Sequence, residues 1–143
     1  MTKKQMQKHA ESLLAYYQKI FRLQDWDISV QVLDQQEYKL EHGEEADYYT
    51  GACNRVITQT KRSMISLRYE EQPTPLVENL IHELANLMVH QQWWHVSKHS
   101  EIIQNTEQRE LFMSTLDDLL ELSVSNITRA LIKSLQEGGI YKQ

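Results

Sequence analysis

The amino-acid sequence predicts an α+β fold in which helices pack against one small β-sheet. Apolar residues recur at steps of three and four from Lys3 to Phe21, which is typical of an amphipathic helix. Apolar and polar residues alternate between Trp26 and Val32, which predicts a strand with one buried face. The C-terminal half is again helical in pattern. We therefore expect an N-terminal helix, a mostly antiparallel sheet of about three strands and two further helical segments.

The middle of the chain carries the rest of the expected sheet. After the strand at Trp26–Val32, the stretch Asp34–Asp47 is polar and acidic and is interpreted as a loop. Tyr48–Thr58 and Ser63–Tyr69 are rich in aromatic and β-branched residues and predict two more strands, joined by a polar turn.

Helix signals return at Thr74, a hydroxyl N-cap followed by proline, and predict a helix over Thr74–Gln91. Gln91–Asn105 has no clear period and is expected to be irregular. From Thr106 the apolar spacing predicts a long helical segment that stops at Gly138 and Gly139.

Composition narrows the functional classes. The chain has 143 residues, a length that fits a single domain spanning 1–143. Its net charge is −5. Its Lys and Arg residues form no basic cluster, so no nucleic-acid partner is expected. No apolar run reaches membrane-spanning length, and Met1–Glu11 lacks the pattern of a signal peptide. Cys53 stands alone, which excludes a disulfide framework. The sequence thus predicts a globular protein of the cytoplasm without a membrane partner.

The most informative motif lies in Leu80–Leu87. In a helix, His82 and position 86 lie one turn apart on one side, and Glu83 lies beside them. Two histidines at this spacing with the glutamate would form a zinc-protease helix. The residue at the second position is Asn86, so the strict motif fails by one residue.

The layout resembles the small zincin-like metallopeptidases encoded by bacteriophages and prophages, distant kin of the SprT-like metallopeptidases. A Trp-containing strand is followed by a second strand, by a helix of the form Glu-x-Leu-x-His-Glu-Leu-x-His-Leu and by a helix of the form Glu-x-x-Val-x-x-Ile-x-x-Ala-Leu. The resemblance covers nearly the whole chain. The matching segments are Leu23–Val30, Met64–Leu67, Glu78–Leu87 and Glu121–Leu131.

This resemblance implies a zinc site with His82 as first ligand, position 86 as second and Glu121 as third, and Glu83 as general base. Asn86 departs from that pattern, since an amide oxygen is a poorer zinc donor than imidazole. Zinc is therefore expected to be bound weakly or not at all. Asn86 is either a natural loss of a ligand or an engineered inactivation.

Two functions are compatible with the motif. The first is a zinc-dependent metallopeptidase that cleaves an unidentified peptide or protein and is impaired or inactive with Asn86. The alternative is a pseudoenzyme, a non-catalytic zincin-fold protein that acts by binding a host or phage protein. The presence of Asn86 slightly favours the second function, the non-catalytic binding protein.

Other histidines are weaker candidates for metal ligands. His95 and His99 are four residues apart, but their segment lacks a helix signature and a nearby carboxylate, so surface positions are expected. His90 lies two helical turns beyond His82 and is too far away to share a metal ion with it. His42, in the predicted acidic loop, could reach the site from elsewhere in the chain.

Four further side chains and a cysteine need an interpretation. Asp117 and Asp118 could take the place of the third ligand, although an exposed acidic helix face explains them equally well. Trp93 and Trp94 either line a substrate groove or cap the core beneath a loop, and the second is favoured. Cys53 has no basic neighbour in sequence and is interpreted as a small strand residue instead of a nucleophile.

Overall fold

The computed structural model describes residues 1–44, 52–69 and 76–138, apart from the side chains of Cys53 and Gln91. Within these residues four helices and three strands follow one another along the chain, with short 3₁₀ turns at Thr58–Thr60 and Ser100–Ile102. The fold is α+β, as predicted. The elements are α1 (Lys3–Ile20), β1 (Asp27–Leu33), α2 (Gln35–His42), β2 (Ala52–Ile57), β3 (Arg62–Arg68), α3 (Leu76–His99) and α4 (Thr106–Glu137).

The sheet has the strand order β1-β3-β2 and is mixed. The short turn between β2 and β3 makes that pair antiparallel, with Lys61 in the left-handed region at φ 51°. β1 lies on the other side of β3 and runs parallel to it, because β2 runs in the opposite direction to both and brings the chain back to the end of the sheet where β1 begins. One pairing is thus antiparallel and one parallel, where a mostly antiparallel sheet was expected.

α1 forms where the apolar spacing predicts it. Thr2 caps its N-terminus in a capping box with Gln5. The amide of Gln7 bonds the free edge of β1, since Nε2 donates to the carbonyl of Val30 and Oε1 accepts from the amide of Val32, both at 2.7–2.8 Å. This side chain satisfies backbone groups that an edge strand otherwise exposes.

The predicted loop at Asp34–Asp47 is wrong for the part that the structure describes. Asp34 caps α2, its carboxylate accepts from the amide of Glu37, and the Glu37 carboxylate accepts from the amide of Asp34. Gly43, at φ 94°, ends the helix. The capping signal Asp34-x-x-Glu37 is present in the sequence, but eight residues with a single buried side chain, Tyr38, give no apolar period.

α3 is longer than predicted. It continues to His99, so the expectation of an irregular segment over Gln91–Asn105 is wrong up to the turn at Ser100–Ile102. Aromatic and polar residues dominate the extra turns and obscure their helical period. The predicted start at Thr74 and Pro75 lies outside the described residues, as do the proposed beginning of the second strand at Tyr48 and the stop residue Gly139.

α4 matches its prediction. The side chain of Asn105 caps its N-terminus by accepting from the amide of Gln108, and Gly138 follows its last turn. Over 32 residues it buries only Val124, Thr128 and Leu135 fully, so most of its surface is solvent-facing.

Contacts divide the chain into two compact units, with the boundary after Leu84, inside α3. Most of the described apolar core belongs to the first unit and lies around the face of the sheet that carries Ile65 and Leu67. The expectation of a single domain stays a prediction. No helix in the described part of the chain is long and apolar enough to cross a bilayer. The fully buried apolar residues of the first unit include Met6, Ala10, Tyr17, Tyr38, Ile65, Leu67, Val77, Leu80, Ile81 and Leu84.

Candidate functional site

The motif residues lie on α3, whose apolar residues fix which side chains remain accessible. Leu80, Ile81 and Leu84 are completely buried. His82 and Asn86, four residues apart in this continuous helix, are both partly exposed. The helix therefore holds the imidazole and the amide one turn apart, as the sequence predicted, at positions that solvent or an ion can reach.

Glu83 occupies a different environment from its neighbours. The residue is only 8% exposed, so its carboxyl is largely withdrawn from water. A carboxylate in such a place must be paired or hydrogen-bonded to remain ionised. The role of general base predicted for Glu83 would require a water molecule to reach a group that is almost covered.

The turn that carries these residues is tied to the sheet by Asn54, which the sequence did not single out. Nδ2 of Asn54 donates to the backbone carbonyl of Glu83 at 3.4 Å, and Oδ1 accepts from the hydroxyl of Ser63. Asn54 lies opposite Ile65 in the register of β2 with β3, on the face of the sheet that carries the core. One amide thus links two strands and the motif turn.

Asn86 and Glu121 belong to the second unit. Glu121 lies on α4 and is exposed. Its convergence with His82 stays a prediction. Within the described ranges, no three His, Cys, Asp or Glu side chains are grouped so that they could hold a metal ion. On their own, His82 and Asn86 of α3 supply one imidazole and one amide.

His42 does not point towards the motif turn. Its Nε2 lies 2.9 Å from Oγ of Ser66, which also accepts from Nε2 of Gln31 at 2.8 Å. Ser66 is adjacent to Ile65 in β3 and therefore faces the opposite side of the sheet from Asn54. Desolvation, with a smaller contribution from the charge of Arg55, lowers the pKa of His42, while Glu41 opposes the shift. His42 is thus part of a polar network beneath α2.

The second unit contains its own aromatic cluster. Nε1 of Trp93 donates to the carboxylate of Asp117 at 2.7 Å, and the ring of His90 lies 5.8 Å from that of Trp93. Burial lowers the pKa of His90. Trp93 also lines a mainly apolar cleft of about 260 Å³ between α3 and α4, with Val89 and Leu120 among its walls. Asp117 is therefore bonded to an indole, and Asp118 is exposed.

Two of the remaining candidates are surface groups. His95 and His99 are exposed, as expected, although their segment is helical and brings the ring centroids to 4.6 Å. Trp94 lies on α3, under the ammonium group of Lys98, which is 4.2 Å from the ring centroid. That it caps the core beneath a loop stays a prediction. The side chain of Cys53 lies outside the described residues.

Comparison with known proteins identifies no family for this chain. No model of a known protein family matches the chain, and neither the curated proteins nor the solved structures contain a match to it.

Proposed function

We propose that this chain is a degenerate zincin-like metallopeptidase in which Asn86 has weakened the zinc site below the level needed for catalysis. The observation that supports the proposal is the spacing on α3, where His82 and Asn86 lie one turn apart at partly exposed positions beside Glu83. The pattern matches a two-histidine zinc helix in everything except the donor at position 86.

The donors present do not fit a catalytic zinc site. Such a site uses three good protein ligands and leaves one position open. α3 provides one imidazole and one amide oxygen, and amides are ligands for harder cations than zinc. Glu83, which is 8% exposed, also has little access to water. We therefore assign no catalytic cycle to the chain with asparagine at position 86.

A second candidate is a non-catalytic protein that binds a peptide or protein of a host or phage. The specific observation in its favour is Asn86 itself, which removes the better zinc donor while leaving the helix intact. The two candidates differ in what Asn86→His should do. A recently weakened peptidase should regain both zinc and hydrolysis, whereas a binding protein should regain zinc at most.

Zinc titration of Asn86→His tests the proposal. The variant should bind zinc at least about tenfold more tightly than the parent, the size of effect seen on changes in and around a metal's ligand shell. Because the exposed pair His95 and His99 also offers two imidazoles, both proteins should carry alanine at these positions. Asn126→His, at an exposed site on α4, is the matched control and should leave zinc affinity unchanged.

His90 requires a separate control, because it lies four residues after position 86 and could pair with a new imidazole there. Adding His82→Ala to Asn86→His should remove the gain, and adding His90→Ala should preserve it. If His90→Ala removed the gain and His82→Ala preserved it, the metal would lie between positions 86 and 90, and the assignment of His82 as a ligand would be refuted. Adding Glu121→Gln should lower the affinity again if Glu121 is the third ligand, since carboxylates ligate zinc better than amides.

Hydrolysis is the second readout. A cleavage assay on a denatured protein mixture should compare the parent, Asn86→His, and Asn86→His with Glu83→Gln. The last variant should keep its zinc and lose any hydrolysis gained, because Glu83 is assigned as base and not as ligand. Restored zinc without hydrolysis favours the binding protein. Unchanged zinc affinity in Asn86→His would show that this face of α3 is no metal site.

A further inference from the structure

His95 and His99 form a pair of neighbouring imidazoles near the end of α3, within the second unit. Four residues separate them, so they lie one turn apart on the same side of the helix. Both residues are exposed, and their ring centroids are 4.6 Å apart. Among the described residues neither imidazole has a hydrogen-bond partner, so the ring nitrogens are free to take a ligand from solvent.

The separation of the two rings suits a shared metal ion. Metal–nitrogen bonds to histidine are about 2.0–2.1 Å long, which places the centroids of two imidazoles on one ion about 4.5–5.2 Å apart for bond angles between a right angle and a tetrahedral angle. The observed 4.6 Å lies within this range. Rotation of the rings about their own side-chain bonds can therefore turn one nitrogen of each towards the same ion, with no movement of the helix backbone.

The positive charge of Lys98 is held away from this pair. Its ammonium group lies over the ring of Trp94, 4.2 Å from the centroid, where a cation is stabilised by the aromatic face. Trp94 and Lys98 each precede one of the two histidines by one residue, and successive positions are about 100° apart round a helix. The lysine is thus drawn to an adjacent face, and the space in front of the imidazoles is left to another cation.

We propose that His95 and His99 chelate a first-row transition-metal dication, and that the bound ion holds the last turn of α3 in its helical form. Imidazole nitrogen is a good donor for Zn²⁺, Ni²⁺ and Cu²⁺, whereas Mg²⁺ and Ca²⁺ prefer oxygen. Because the protein provides only two donors, water fills the other positions. The ion is therefore held more weakly than in a structural zinc site with four protein ligands.

The end of α3 depends little on packing, so a bound ion can stabilise it. None of the residues 92–99 is buried. Short helical segments without a packed face are marginally stable in water. Because the chelate requires helical spacing, the ion binds the folded turn in preference to the unfolded one and so stabilises it. Neither histidine is a ligand or a base in the proposed zinc site, so the two sites can be tested separately.

Zinc titration of the full chain by calorimetry tests the proposal, in a reference chain that carries His82→Ala and so lacks the imidazole of the other candidate site. The reference chain should bind one ion at the pair. His95→Ala or His99→Ala should each lower the affinity at least about tenfold, because either change leaves a single donor. Changing both should add little to the loss from one. Half the stoichiometry with unchanged affinity in the single variants would mean two independent imidazoles and would overturn the chelate.

A displaced pair is the matched control. His95→Ala with Gln92→His keeps the number of histidines and leaves them on one side of the helix, but sets them two turns and about 10 Å apart along the axis. This variant should bind zinc as weakly as His95→Ala alone. Equal affinity in the displaced pair and the reference chain would overturn the proposal, as would a reference chain that binds no zinc below about 1 mM.

Stability and metal preference provide two further readouts. Zinc should raise the melting temperature of the reference chain, and it should not do so in the variant that lacks both histidines. Cu²⁺ should bind more tightly than Zn²⁺, in line with the general order of affinities, and Mg²⁺ should not compete with either. Circular dichroism without metal verifies that every variant keeps its helices. An equal zinc-induced shift in the variant without the pair would place the stabilising ion elsewhere and refute the clamp on α3.

Discussion

Replacing Ser66 with alanine tests the polar network that joins α2 to the sheet. Ser66 is completely buried, and its hydroxyl accepts from Gln31 at 2.8 Å and lies 2.9 Å from Nε2 of His42. Because Gln31 already donates to Oγ, the hydroxyl proton of Ser66 is available to neutral His42. Neutral His42 can therefore accept this proton at Nε2, and desolvation lowers the pKa of His42.

The cost of Ser66→Ala follows from the two hydrogen bonds that it removes. Each intramolecular hydrogen bond contributes about 0.5–1.5 kcal/mol net. Gln31 and His42 are only partly buried, so water can replace some of what they lose. We expect the free energy of unfolding to fall by about 1–2 kcal/mol, an amount that lowers the melting temperature of a chain of this size by several degrees.

Urea unfolding followed by circular dichroism measures this change. Ser29→Ala is the matched control, since Ser29 lies on the same face of the sheet but is exposed, and its hydroxyl is 3.2 Å from Sδ of Met64 and 3.5 Å from the carbonyl of Ser63. The control should change stability by no more than about 0.5 kcal/mol. Equal losses in the two variants would refute the idea that Ser66 organises a buried network.

Three further predictions concern the core, a helix cap and pH. Leu80→Ala, at a site with no exposed surface, should cost about 2–5 kcal/mol, whereas Leu40→Ala, at 87% exposure, should cost almost nothing in the same urea titration. Asp34→Ala should destabilise α2 by about 0.5–2 kcal/mol, and Asp34→Ser should recover most of it in thermal unfolding. Because folding lowers the pKa of His42, the unfolded chain takes up the proton first, so stability should fall as pH drops through about 6.5 and level off below the folded pKa. His42→Gln should reduce that slope, and an unchanged slope would assign it to other groups such as His90.

Periodic patterns predicted the elements that expose one face and bury another. α1, β1 and α4 each have a side made of apolar residues, and the repeat of that side in the sequence identifies the element. The sequence did not predict α2 or the second half of α3, because the stability of these segments does not come from such a repeat. α2 depends on the cap at Asp34, and the end of α3 contains the adjacent residues Trp93 and Trp94.

The candidate site was predictable only within one helix. The spacing of His82 and Asn86 follows directly from helical geometry. Asn54 and Ser66, by contrast, acquire their roles from contacts between residues 24 to 35 positions apart, which no local pattern encodes. A weak signal existed, because Asn54 alternates with Ala52 and Val56 on one face of β2, and a polar residue on a buried strand face needs a partner.

The way α3 is held makes the variants of the motif interpretable. Asn54 bonds the backbone carbonyl of Glu83 and not its side chain, so this link between sheet and helix persists whatever residue occupies position 83 or 86. Asn86 is partly exposed, so we expect a larger imidazole at this position to extend towards solvent. Glu83→Gln keeps the shape of a buried side chain while removing its charge. A change in zinc affinity or hydrolysis in these variants would therefore reflect the metal donor at position 86 or the base at position 83, and not a displacement of α3.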